Sequence, residues 1–179
     1  MAGNLTTLKD FVAGCHSALA ASELEAEQLA RIKPLLKTLL ADPQWLPATH
    51  RLPREDRYAQ YPVYIAPDNS FSIVSFVWKP GQWTPIHDHT VWGVIGIYQG
   101  IERTEVYQQQ GNALTKTVTL DSTVGEVGAV SPTLGDVHRV ADSAEHLRAT
   151  ELVLHFLELF VRRLCKSRRK RRRDDAGTD

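Results

Sequence analysis

At 179 residues with 42% hydrophobic content, the chain suits one domain with an ordinary core, and its formal net charge of zero excludes a polyelectrolyte character for the chain as a whole. The zero hides an asymmetry, since nine of the 21 Lys and Arg residues fall between Arg162 and Arg173, leaving residues 1–161 with 12 basic and 18 acidic groups. No apolar run approaches the ~20 residues that span a bilayer, and MAGNLTTLKDF lacks the basic-then-apolar order of a secretory signal, so a cytoplasmic protein with no membrane contact is expected.

Residues 5–41 predict helices. In LTTLKDFVAGCHSALA the apolar residues Leu8, Phe11, Val12, Cys15 and Leu19 recur at three- and four-residue spacing. Ser22 followed by Glu25 predicts a capping box at the start of a second helix, with Leu29, Ile32, Leu35, Leu36 and Leu39 as its buried stripe. Pro34 removes one hydrogen bond there and predicts a kink or a split. Asp42-Pro43 closes the segment, and the Pro- and Arg-rich stretch to Asp56 reads as a connection. Cys15 and Cys165 form neither a disulfide framework nor a C-x-x-C knuckle and are read as free thiols.

From Tyr58 the texture changes to short runs rich in Val, Ile, Tyr, Phe and Thr, broken by Pro-Asp-Asn (67–69), Lys-Pro-Gly (79–81), Gln-Gly (99–100) and Gln-Gly-Asn (110–112). Antiparallel strands are predicted near 62–66, 71–78, 84–89, 93–99, 102–108, 114–120, 126–130, 136–141 and 151–157. Many short strands after a helical N-terminus predict a mainly β fold, a small barrel or jelly roll with helices packed at one side. The chain has no Gly-rich phosphate loop, no G-x-S-x-G elbow and no internal repeat.

The stretch GQWTPIHDHTVWGVIGIYQG, Gly81 to Gly100, concentrates possible metal ligands. On a strand, His87 and His89 share a face and can grip one ion while Asp88 points away. Gly81, five residues, His87-x-His89 and later Gly100 follow the spacing of the first cupin motif, and GEVGAVSPTLGDVH, Gly125 to His138, approximates the second. In that second stretch Pro132 and Gly135 stand one residue further apart than the strict form, and the turn delivers His138 as a third imidazole. The cupin motif places Glu four residues past His89; this chain has Gly93. Three neutral imidazoles leave a divalent ion its full charge and open positions, which favours anionic ligands such as a thiolate. Zinc with a bound hydroxide is the hydrolytic alternative, and three histidines alone do not choose between iron and zinc.

FSIVSFVWKPGQWTPIHDHTVWGVIGIYQGIERTEVY and SPTLGDVHRVAD resemble the bacterial thiol dioxygenases, the group of cysteine dioxygenase and 3-mercaptopropionate dioxygenase. The likeness runs from about Arg57 to Asp142. It implies a cupin barrel, a double-stranded β-helix, in a single domain over residues 1–161 with helices at 5–41 and the barrel at about 58–157. It further implies one Fe(II) held by His87, His89 and His138, binding a small thiol substrate and O2 and leaving both oxygen atoms on sulfur as a sulfinate. The family's substrate position matches Tyr58-Ala59-Gln60-Tyr61, with Gln60 where mammalian-type cysteine dioxygenases have Arg. Because an amide is a neutral, weaker partner for a substrate carboxylate than a guanidinium fork, Gln60 points to a 3-mercapto acid over cysteine. Tyr58 and Trp78 match positions in the family's substrate pocket. The resemblance leaves monomer and homodimer both open.

Two features depart from that family. Its outer-sphere Ser-x-His-x-Tyr corresponds here to Val153, His155 and Leu157, so His155 is the one catalytic candidate retained, although a histidine on an apolar segment is more often a core residue. Gly93 also replaces the cysteine that crosslinks to the tyrosine in mammalian enzymes. A catalytically impaired or non-catalytic cupin, or another metal-dependent cupin enzyme, is therefore the alternative. Residues 162–179 form a basic tail, with seven basic residues among the eight from Lys166 to Arg173. With no interleaved aromatic for base stacking, the tail is expected to be solvated and disordered rather than a nucleic-acid interface. A reading frame altered after Asp142 would account for both the lost motif and the tail.

Overall fold

The structure, a computed structural model, describes residues 7–111, 113–143 and 149–156, the last stretch as backbone. Helix α1 (Leu8–Ala21) starts on a true capping box: the Thr7 hydroxyl accepts from the Asp10 N–H at 3.2 Å, and the Asp10 carboxylate accepts from the Thr7 N–H at 3.1 Å. Helix α2 (Glu25–Leu40) has no such box. The expected Ser22–Glu25 pair does not form, because the Ser22 hydroxyl accepts instead from the Leu24 N–H at 3.1 Å and its carbonyl accepts from Gln28 Nε2 at 2.6 Å, delaying the helix start to Glu25. Pro34 does not split α2, which runs unbroken through it. The buried stripe Ile32, Leu36, Leu39 and Leu40 explains why. Each such side chain contributes ~1.5–3 kcal/mol by burial, which together outweighs the ~3 kcal/mol cost of one interior proline.

Among the described residues, eight strands follow a short 3₁₀ turn at Ala48–Arg51: β1 (Ala59–Ile65), β2 (Phe71–Trp78), β3 (Gly93–Gln99), β4 (Ile101–Gln110), β5 (Ala113–Thr123), β6 (Val127–Val130), β7 (His138–Asp142) and β8 (Ala149–Phe156). They form two antiparallel sheets, ordered β1-β2-β8-β3-β6 and β5-β4-β7. A cavity lined by Ile95 and Val127 from the first sheet and by Thr104, Leu120 and Val140 from the second shows that the sheets face each other. The expected mainly β cupin barrel with N-terminal helices is thus what the chain forms.

Strand alternation sorts the two faces of β3. Ile95 and Ile97 line the interior, and Gly93 lies on the same row two residues earlier. Gly96 lies on the opposite row, against α2, where a Cβ would stand 2.7 Å from Leu40 Cδ1 and 2.9 Å from Leu36 Cδ2. The absence of a side chain there lets the helix sit directly on the sheet. Phe11, Cys15, Ile32, Leu36, Leu39, Phe71 and Val94 fill this helix-to-sheet core.

One predicted strand does not form. Residues 84–89 make no regular strand; Trp83 and His87 form isolated bridges, to Ala141 and His138 respectively. Pro85 lacks an N–H, which stops a continuous ladder between those bridges. Leu157 and the basic tail, 162–179, lie outside the described residues.

Candidate metal centre

His138 opens β7, and its backbone fixes His87 beside it. The His87 N–H donates to the His138 carbonyl and the His138 N–H to the His87 carbonyl, both at 2.8 Å. Such a doubly bonded antiparallel pair holds two side chains on one face of the sheet, and the two rings have centroids 4.7 Å apart. His89 lies beyond the bridge, so strand alternation does not place it. Asp136 does: its Oδ2 lies 2.9 Å from His89 Nδ1, and its Oδ1 accepts from the His89 N–H at 3.4 Å. The His89 ring then stands 5.1 Å from that of His87 and 5.0 Å from that of His138.

The three side chains each offer a nitrogen, all within 4.8 Å of one another. Shifts of less than about 1 Å would bring such a triangle to the ~2.1 Å metal–nitrogen distance. Tautomers also suit coordination. Pro85 O lies 2.8 Å from His87 Nδ1. A carbonyl only accepts, so in the neutral ring Nδ1 carries the proton and Nε2 keeps its lone pair; the Asp136 carboxylate selects the same tautomer of His89. Burial pushes the His138 imidazole down to about 4, with help from the other two histidines. Burial also lowers His89, against the opposing pull of Asp136. Both rings are therefore neutral at neutral pH, the form that binds metal. The residues fit a divalent ion held by three imidazoles, and the cluster includes no carboxyl or thiol among the described residues.

The other expected site residues fall in two places. Tyr58 and Trp78 join Phe76 in a stack, with ring centroids 5.8 Å apart for Tyr58 and Trp78 and 5.9 Å for Phe76 and Trp78. Trp78 is buried and packs with Val140, a cavity residue two positions along β7 from His138. Gln60 is exposed on β1, paired with Phe76. His155 pairs across the backbone with Gly93 on one side and Ser72 on the other, and Val153 pairs with Ile95 and Val74. The register therefore sets His155 directly opposite Gly93. Asp136 was not among the expected residues; its signal was its place between the motif glycine, Gly135, and His138.

Between the sheets lies a cavity of about 550 Å³ that His138 and Asp136 line at one end and Glu102 lines further along β4. On the outer face Glu105 accepts from Arg139 Nε at 2.6 Å, from the Tyr107 hydroxyl at 2.7 Å and from Lys116 Nζ at 3.2 Å. Arg139 also lies over the Trp83 ring, 4.3 Å from its centroid. This network braces β4 and β7 against the segment carrying His87.

No family model matches the chain. Among solved structures, the chain is similar to an RmlC-like cupin protein from Desulfovibrio desulfuricans, at 22% identity over 57% of this chain and 85% of that one, with a TM-score of 0.41. It is similar to a cupin superfamily protein from Desulfitobacterium hafniense, at 15% identity over 65% and 87% of the two chains, with a TM-score of 0.46. It is also similar to the protein TT1209 from Thermus thermophilus, at 18% identity over 60% and 90%, with a TM-score of 0.47. The strand order and facing sheets described above identify the fold as a mainly β cupin barrel carrying a three-histidine cluster, of which His138 lines the cavity.

Proposed function

We propose that the protein is a mononuclear non-haem iron thiol dioxygenase that adds both atoms of O2 to the sulfur of a small thiol acid, 3-mercaptopropionate or cysteine, to give a sulfinate. One observation carries the reading: three imidazoles converge with no carboxylate among them, and the residue in the place of the usual glutamate is the buried Gly93. A carboxylate ligand would offset one positive charge of the ion and occupy one of its positions; glycine does neither.

Bound Fe(II) would supply the open positions and redox chemistry for the thiolate and O2. The chain's own residues do the rest. Asp136 holds His89 in the ligating tautomer, and Pro85 does the same for His87. Tyr58, Phe76 and Trp78 form an aromatic wall beside the interior. In this reading Gln60 offers a neutral amide to the substrate carboxylate, which favours a 3-mercapto acid. His155 occupies the register position next to Gly93.

The test is anaerobic purification, measurement of bound metal, and oxygen uptake with 3-mercaptopropionate and with cysteine. Iron at one ion per chain and thiol-dependent uptake are expected, with Gln60→Arg moving the preference towards cysteine. Absence of both iron and thiol-dependent uptake sinks the reading. Zinc without uptake turns it towards the hydrolytic alternative.

A further inference from the structure

The cavity face of β4 and β7 is a ladder of three rungs: Val106 opposite His138, Thr104 opposite Val140, and Glu102 opposite Asp142. The first rung carries a histidine of the candidate metal centre. The third carries two buried acids, Glu102 at 4% exposure and Asp142 at 3%. Glu102 Oε1 accepts from the Thr104 hydroxyl at 2.8 Å, while its Oε2 is buried with no hydrogen-bond partner among the described residues. Burying an unsatisfied oxygen beside a second acid on the same rung weakens the fold. A glutamine or an aliphatic residue would serve packing better.

Among the described residues, the cations on β4, β5 and β7 are engaged elsewhere. Arg139 and Lys116 pair with Glu105, and Arg103 pairs with Asp121. Glu102 instead lines the cavity of about 550 Å³, beside the apolar side chains of Ile97, Leu120, Val127 and Val140. That volume lies within the ~300–1,000 Å³ of small-molecule sites, well beyond what a bare ion fills.

We propose that Glu102 is the anchor of a second binding site in the barrel, taking the ammonium end of a small organic cation whose aliphatic stem lies along the cavity wall. The ammonium donates to Oε2, and the stem covers the apolar wall. Four residues of strand separate Glu102 from the Val106–His138 rung, ~13 Å at the usual rise. A small thiol acid held at the histidines leaves Glu102 untouched, so the site stands independently of the proposed dioxygenase activity.

The test uses the full chain, with thermal melting and titration calorimetry against n-butylammonium, n-butanol, butyrate and magnesium chloride at constant ionic strength. Butylammonium is expected to bind and to raise the melting temperature, whereas butanol, butyrate and magnesium are not. Glu102→Gln is expected to lose at least tenfold in butylammonium affinity and, free of ligand, to melt no lower than the parent chain. The proposal is overturned if butanol binds as well as butylammonium, if butylammonium does not bind the parent chain, or if Glu102→Gln keeps the affinity. Magnesium binding that depends on Glu102 overturns it in favour of a metal site. A Glu102→Gln chain that does not fold, or melts well below the parent, makes the carboxyl structural and also overturns it.

Discussion

Asp136 and His89 lie 47 positions apart and are joined through Oδ2 and Nδ1 at 2.9 Å, so the acid of one motif sets the tautomer of a histidine in the other. The carboxylate orients the ring and raises its basicity towards a metal. Asp136→Ala is therefore expected to lower metal affinity by ~10–100-fold with the fold retained, since comparable second partners elsewhere are worth that much. Chelator competition on the loaded protein measures it, and an unchanged affinity would show that Asp136 does not support the site.

The Glu105 network gives a pH dependence with a definite sign. Hydrogen bonds from Arg139 and Tyr107, and a further one from Lys116, hold the Glu105 carboxyl down at about 2, below its ordinary 4.5. A depressed carboxyl contributes stability that is present above the ordinary value and is lost as pH falls towards about 2. The urea midpoint of the parent chain is expected to exceed that of Glu105→Gln near neutral pH, and the gap should close between about 4.5 and 2. A gap independent of pH would mean that the ion pairs contribute nothing; the partial exposure of Arg139 and Lys116 argues for a modest one.

Gly96 tests the contact between helix and sheet. Gly96→Val places a branched side chain where Leu36 and Leu40 already stand, and overpacking of this kind costs ~1–3 kcal/mol. Chemical denaturation measures the loss, and stability equal to the parent would show that α2 yields without cost.

Cys15 is expected to be inert in the native protein. It is fully buried, and burial pushes its thiol up to about 12, which removes the reactive thiolate at neutral pH. In a Cys165→Ser chain, iodoacetamide should label Cys15 only after unfolding in urea. Labelling at the native rate of an exposed thiol would contradict the burial.

The fold class and the histidine cluster were legible in the sequence for local reasons. Short β-rich runs punctuated by Gly and Pro announce antiparallel strands, and every expected strand except that at residues 84–89 coincides with, or overlaps, an observed one. Motif spacing named His87, His89 and His138 without any knowledge of their contacts. Boundary chemistry was less legible: Ser22 matched a capping-box pattern, yet its hydroxyl satisfies Leu24 instead, a choice decided by the turn between the helices.

By itself, the sequence determined the barrel class, the helical N-terminus and the identity of the three imidazoles, because periodicity and motif spacing are properties of neighbouring residues. Only the tertiary structure decided how the histidines converge. His87 is fixed by a backbone pair with His138 and His89 by Asp136, contacts that span roughly fifty positions and have no local signature. It also decided that Glu102, unremarkable in IERTEVY, lines the cavity with a buried oxygen that has no hydrogen-bond partner among the described residues. That outcome depends on which face of β4 turns inward and on what stands across from it, and neighbouring residues do not specify the second of these.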